Sequence, residues 1–192
     1  MLTPPFDLFI RALEFAAHKH CDQKRRDAGQ TPYINHPIQV ANILWQIGQV
    51  QDENVLSAAL LHDTLEDTDT QPEELEKAFS QDILTLVQEV SDDKSLPKAE
   101  RKRLQIVHAA TISSQAKLIK LADKIANIQD IGQAPPTGWS LERRLEYLDW
   151  SEKVIQALRG VNPALEAHFD KSLSAVREQL QDNKAEDKSS DQ

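Results

Sequence analysis

The chain is poor in cysteine, glycine and aromatic residues, and it has no excess of positive charge. Its one cysteine, Cys21, cannot form an internal disulfide, which fits a reducing compartment and makes the cytoplasm the expected location. Five glycines and 5% aromatics leave little for a strand-rich fold, whereas the plentiful Leu, Ala, Gln and Glu favour helix. No apolar run reaches bilayer length, and Met1–Asp7 lacks the basic-then-apolar order of a signal peptide, so no membrane partner is expected. The formal net charge of -9 argues against a long nucleic acid as partner, because phosphate backbones are held mainly by accumulated positive charge.

What remains is 192 residues, 40% of them hydrophobic, enough for one domain with a core of its own. Apolar residues recur at helical spacing in Phe6–Lys19, after Pro37, and again from Asp52 to about Glu66. Thr70-Gln71-Pro72-Glu73 has the form of a capping box opening a further helix. Helices are also expected over Ile83–Val90, from the basic stretch to about Ala110, over Ala116–Ile128, over Ser140–Leu158, and from Asn162-Pro163 to about Leu180. No segment alternates as a strand should. The expected fold is all-α, a single-domain helical bundle over residues 1–180, followed by a polar, disordered tail over 181–192.

Two features stand out from this background. Lys19, Lys24, Arg25 and Arg26 form one basic cluster, and Lys98, Arg101, Lys102 and Arg103 form another. In an acidic protein, two such patches suit a small polyanion better than a long one, although basic runs are also common on solvated helix faces. The second feature is His62-Asp63, which directly follows the apolar run Ala58–Leu61. Ionisable groups at the end of a buried helix are costly unless paired or bound to a metal. Glu66 and Asp67 lie four residues beyond them, so on one continuous helix they project from nearly the same faces, one turn further on. Three neighbouring acids, Asp63, Glu66 and Asp67, would repel one another without a cation.

His62-Asp63-Thr64-Leu65-Glu66-Asp67 resembles the HDxxED motif of RelA/SpoT-type hydrolase domains in the HD phosphohydrolase superfamily. Gln23–Arg26 and Pro32-Tyr33-Ile34-Asn35-His36-Pro37 resemble that family's basic stretch and YIxHP segment. Lys120-Leu121-Ala122-Asp123-Lys124-Ile125-Ala126-Asn127 is similar to its KLADKxxN segment. Asp92-Asp93-Lys94, Leu96-Pro97-Lys98, Arg101–Leu104 and Gly138-Trp139-Ser140 bring the chain nearest the short, stand-alone alarmone hydrolases, the metazoan SpoT homologues among them. The likeness runs from about residue 10 to residue 160, and it implies an HD-type helical bundle.

It also implies metal ligands at His36, His62, Asp63 and Asp123, with manganese (Mn2+) as the usual ion; the mixed N/O donor set would accept iron or zinc as well. Glu66 and Asp67 would orient and activate the attacking water. Arg25 would stack on the base, Lys98 and Lys102 would meet phosphates, and Asn127 and Tyr147 would contact the nucleotide. Arg144, one turn before Tyr147, faces either the site or solvent. His20 would brace the site, whereas His18, His108 and His168 are read as surface or structural residues.

The implied activity is hydrolysis of the 3′-pyrophosphate of guanosine tetra- or pentaphosphate. Adenosine alarmones, the 2′-phosphate of NADPH, or a non-catalytic nucleotide sensor are the alternatives, and self-association is left open.

Overall fold

A computed structural model describes residues 6–190, with side chains to residue 182. Ten helices make up its regular structure: α1 (Asp7–Lys19), α2 (Asn35–Gln46), α3 (Glu53–Leu61), α4 (Thr64–Asp67), α5 (Pro72–Ala78), α6 (Gln81–Val90), α7 (Lys98–His108), α8 (Ser114–Gln133), α9 (Leu141–Leu158) and α10 (Pro163–Ser190). Among the described residues the only β pairing is one antiparallel bridge, Lys24 with Pro32, which closes the loop between α1 and α2. No helix is long and apolar enough to cross a membrane. The all-α, single-domain reading holds.

α3 and α8 form the centre. Every residue of α3 from Val55 to Leu61 is buried, and α8 buries Ile119, Leu121, Ala122, Ile125, Ala126 and Ile128. α1, α2 and α6 pack around α3, while α2, α6, α9 and α10 pack around α8. A helix buried on all sides cannot be amphipathic, which is why Ala58–Leu61 reads as a continuous apolar run. α7 is the opposite case, with no buried residue, and it lies against α9 at the rim.

Two local expectations are corrected. The helix capped by Asp52 does form, with Asp52 Oδ1 accepting from the Asn54 and Val55 amides, but it stops at Leu61 instead of running to Glu66. The chain turns at His62-Asp63 and begins α4, so Glu66 and Asp67 are not simply one turn further along the same helix. The Thr70 capping box does not form either. Gln71 is the N-cap residue of α5 without a side-chain cap, and the buried Thr70 hydroxyl pairs with Thr68 at 2.7 Å. The segment expected as a tail is helical to Ser190, as the last part of α10. No Gly or Pro follows Pro163, and helix formers carry the backbone on without an apolar face. Residues 191–192 of that expected tail lie outside the described residues.

Candidate functional site

Four elements deliver the site. His36 stands at the start of α2, His62-Asp63 at the turn that ends α3, Glu66-Asp67 on α4, and Asp123 on α8 beside Lys124. Because α2, α3 and α8 pack directly on one another, the side chains converge at fixed positions. His36, His62 and Asp123 offer ligand atoms that all lie within 4.8 Å of one another. His36 Nε2 is 3.2 Å from Asp123 Oδ1. Asp63 Oδ2 joins them, 3.0 Å from His62 Nε2 and 3.7 Å from His36 Nε2.

Such separations suit donors around one ion, since ligands at about 2.1 Å in a tetrahedral shell sit roughly 3.4 Å apart. The His62 imidazole is prepared for that use. His62 Nδ1 lies 2.8 Å from the Ala59 carbonyl oxygen, which places the ring proton there and turns Nε2 inward, buried and without a hydrogen-bond partner. The site is therefore built for a divalent metal.

The electrostatics of the metal-free site agree. Burial alone would lower the His62 pKa, but the carboxylates of Asp63 and Asp123 push it up to about 9. Burial would raise Asp63 and Asp123, yet His62 holds Asp63 well below the usual range, and Lys124 does the same for Asp123. The carboxylates that favour a proton on His62 would equally favour a metal cation between them. Lys124 Nζ is 2.9 Å from Asp123 Oδ2, and Asn127 donates to Asp123 Oδ1 at 2.6 Å, so both oxygens of that ligand are held.

The expected water-activating pair is present beside this cluster. Burial raises the Glu66 pKa above the ordinary value. Glu66 Oε2 accepts the Asp92 amide at 3.0 Å, and Lys94 donates to Asp67 Oδ1 at 2.6 Å. The metal cavity, about 180 Å³, shares Tyr33, His36, Asp67 and Asn127 with a cavity of about 380 Å³ lined by Arg25 and Arg26. That cavity shares Trp139 and Tyr147 with a third of about 620 Å³, lined by Lys98, Lys102 and Arg143. The three form one cleft.

All five expected substrate residues lie on it. Arg25 is fixed by Asp130, with its guanidinium 5.5 Å from the Tyr33 ring centre. Lys102 sits 4.8 Å over Trp150, and Tyr147 packs between Trp139 and Trp150. Lys98 and Lys102 are both lowered from the ordinary lysine value, first by burial and then by neighbouring cations, Arg143 among them. Arg26, Lys98, Lys102 and Arg143 form no ion pair among the described residues. Cations that outnumber the carboxylates beside them, Asp92, Glu142 and Glu146 on the same cavity, and that pair with none of these, favour a polyanionic ligand.

The arginine of α9 that faces the cleft is Arg143, its guanidinium 4.4 Å from the Trp139 ring centre. Arg144 instead donates to the Trp139 carbonyl at 3.2 Å. The sequence motif assigns Tyr33 no role, yet its hydroxyl donates to Asp63 Oδ2 at 2.6 Å and lies 3.3 Å from Asp67 Oδ2. Its spacing, three residues before His36, was the available signal. His20, expected to brace the site, has its ring 4.8 Å from that of Tyr33. His18 and His108 are exposed, and His168 pairs with Gln129.

Residues 12–147 match the HD domain family. The chain belongs to the HD domain family. This HD domain is 53% identical over 163 residues to the guanosine-3′,5′-bis(diphosphate) 3′-pyrophosphohydrolase MESH1 of Xenopus tropicalis, covering 85% of this chain and 91% of that protein. It is 52% identical over 157 residues to the protein of the same name from Homo sapiens, covering 82% and 88%. Its fold matches, with a TM-score of 0.87 and 50% identity over 91% of this chain and 98% of the other, a solved structure described as a metazoan ortholog of SpoT that hydrolyzes ppGpp and plays a role in starvation responses.

Proposed function

We propose that this HD domain hydrolyses the 3′-pyrophosphate of guanosine tetra- and pentaphosphate, releasing pyrophosphate and GDP or GTP, with manganese as its metal. The observation that carries this reading is the single cleft in which a His-His-Asp-Asp cluster and a paired Glu66-Asp67 meet unpaired cations on α7 and α9. Relatives that share about half of the sequence bear the corresponding name.

His36, His62, Asp63 and Asp123 would hold the ion, which when bound supplies Lewis acidity at the phosphoryl group. Glu66, its pKa raised by burial, takes the proton from the attacking water, and Asp67 orients that water. A new P–O bond forms from the water oxygen, and the bond from phosphorus to the 3′ oxygen breaks. That oxygen leaves as the hydroxyl of the product. Arg25 lies against the purine, Lys98 and Lys102 neutralise phosphate charge, Asn127 keeps Asp123 in place, and Tyr147 walls the nucleotide. Positioning and charge neutralisation do most of the work. The substrate is a small nucleotide, and the place of action is the cytoplasm.

The test is a nucleotide panel that includes adenosine alarmones and NADPH, assayed in parallel with manganese, zinc, iron and magnesium. Manganese-stimulated pyrophosphate release from the guanosine substrate is expected, with loss of turnover in Asp63→Ala. Folded, metal-loaded protein with no turnover at micromolar guanosine substrate would sink the reading. An Asp63→Ala effect confined to nucleotide binding would favour a sensor.

A further inference from the structure

All four carboxylate oxygens of the water-activating pair already have partners. Glu66 Oε2 accepts the Asp92 amide at 3.0 Å, and Glu66 Oε1 has Lys94 Nζ at 3.3 Å and Arg101 at 3.7 Å. Asp67 Oδ1 accepts from Lys94 at 2.6 Å, and Asp67 Oδ2 lies 3.3 Å from the Tyr33 hydroxyl. A base that must accept a proton from water needs a lone pair free for it. Each oxygen keeps a second lone pair, but a cation shared by both acids lowers their basicity, so its departure would strengthen the base.

Lys94 is the cation equipped to leave. It is the only partner that touches both acids, and its side chain is 46% exposed, against 23% for Arg101. It stands in the loop between α6 and α7 and lines the same cavity as Arg25, Arg26, Asn127 and Tyr147. An ammonium on a flexible four-carbon stem is a point charge with no fixed geometry, so it can exchange one anion for another by rotation. A polyphosphate in that cavity is such an anion, more highly charged than either carboxylate.

Resting on the phosphohydrolase reading above, we propose that Lys94 is a substrate-phosphate contact that bridges Glu66 and Asp67 in the empty site and releases them when a phosphate takes their place. The pair would then become a stronger base once substrate is seated, which couples base activation to binding. Lys94 differs in this from Lys98 and Lys102, whose ammonium groups form no ion pair among the described residues.

The experiment compares the wild type with Lys94→Met and Lys94→Arg. It reads kcat and KM for guanosine tetraphosphate, binding of inorganic pyrophosphate by calorimetry, and Tm. Lys94→Met should raise KM and weaken pyrophosphate binding about tenfold each, the loss of one charged contact. It should also move the acidic limb of the pH–kcat profile upward, because the pair loses its neighbouring cation. Lys94→Arg should keep pyrophosphate binding within about twofold of wild type and so exclude a folding defect.

Unchanged KM and pyrophosphate affinity in Lys94→Met overturn the proposal, whether Tm falls, as for a plain structural tie, or kcat rises, as for a simple clamp. Wild-type protein that binds pyrophosphate through Lys94 but turns over no guanosine tetraphosphate would count against the functional reading, and not against the contact.

Discussion

The Tyr33 hydroxyl donates to Asp63 Oδ2 at 2.6 Å, so the loop between α1 and α2 holds the carboxylate that stands between the two imidazoles. The same hydroxyl lies 3.3 Å from Asp67 Oδ2, and the ring carries the Arg25 guanidinium on its face. Tyr33 therefore ties to one side chain Asp63, Asp67 and Arg25, which the proposed function makes a metal ligand, a water-positioning acid and a base-stacking arginine. Tyr33→Phe keeps the ring and removes the tie. We expect metal affinity and kcat/KM each to fall about 10–100-fold, as is usual when a ligand loses its supporting hydrogen bond. Metal titration and steady-state kinetics provide the check; unaltered values for both would show that Asp63 is held by the other groups alone.

Arg143 and Arg144 are adjacent but do different things. Arg143 lies over Trp139 and faces the cavity of Lys98 and Lys102, whereas Arg144 closes the turn before α9 through the Trp139 carbonyl. Arg143→Ala should raise KM for the guanosine substrate about tenfold with little change in Tm. Arg144→Ala should leave KM near wild type and lower stability by about 1 kcal/mol, the worth of one hydrogen bond. The reverse pattern in paired kinetic and denaturation measurements would refute the assignment.

The contrast also marks what the sequence could and could not reveal. His62 and Asp63 were legible because ionisable residues directly after Ala58–Leu61 demand a partner, whereas His36 and Asp123 were implied only by the family resemblance of the Pro32–Pro37 and Lys120–Asn127 segments. The placement of Glu66 and Asp67 was not legible, since spacing alone could not signal the turn at His62-Asp63. That turn is held by local bonds, from Thr64 Oγ1 to the Leu61 carbonyl at 2.6 Å and from His62 Nδ1 to that of Ala59. Helical spacing to Tyr147 pointed to Arg144, but the true register depends on Ser140 capping α9 and on where Trp139 lies. Lys94 was visible as part of a motif. Its hold on two acids from another helix was a tertiary fact.

Gly48 offers a stability test away from the chemistry. A Cβ there would stand 2.8 Å from the Leu44 carbonyl oxygen and 3.0 Å from Leu165 Cδ1, in the turn where Asn162 Nδ2 donates to the Gly48 carbonyl at 2.8 Å. That hydrogen bond links the end of α2 to the start of α10. Gly48→Ala must displace backbone or Leu165, and we expect a loss of about 1–3 kcal/mol in chemical denaturation, with KM unchanged in the folded fraction. A stability within about 0.5 kcal/mol of wild type would mean that the turn relaxes freely.

The metal-free protein should weaken with rising pH through the range where His62 loses its proton. Its pKa is raised from 6.5 to about 9 in the folded state, where burial is outweighed by Asp63 and Asp123. A raised folded-state value means that the protonated form is favoured by folding. That stabilisation is complete below pH 6.5 and disappears as pH passes about 9. A bound divalent ion needs the same Nε2 lone pair, so metal uptake expels the proton and strengthens over the same window. The Tm difference between manganese-loaded and chelator-treated protein should therefore widen from pH 6.5 to 9. In His62→Gln the widening should disappear, because no proton competes at that position. A gap that stays constant with pH in the wild type, measured by thermal scanning at fixed ionic strength, would rule out proton–metal exchange at His62.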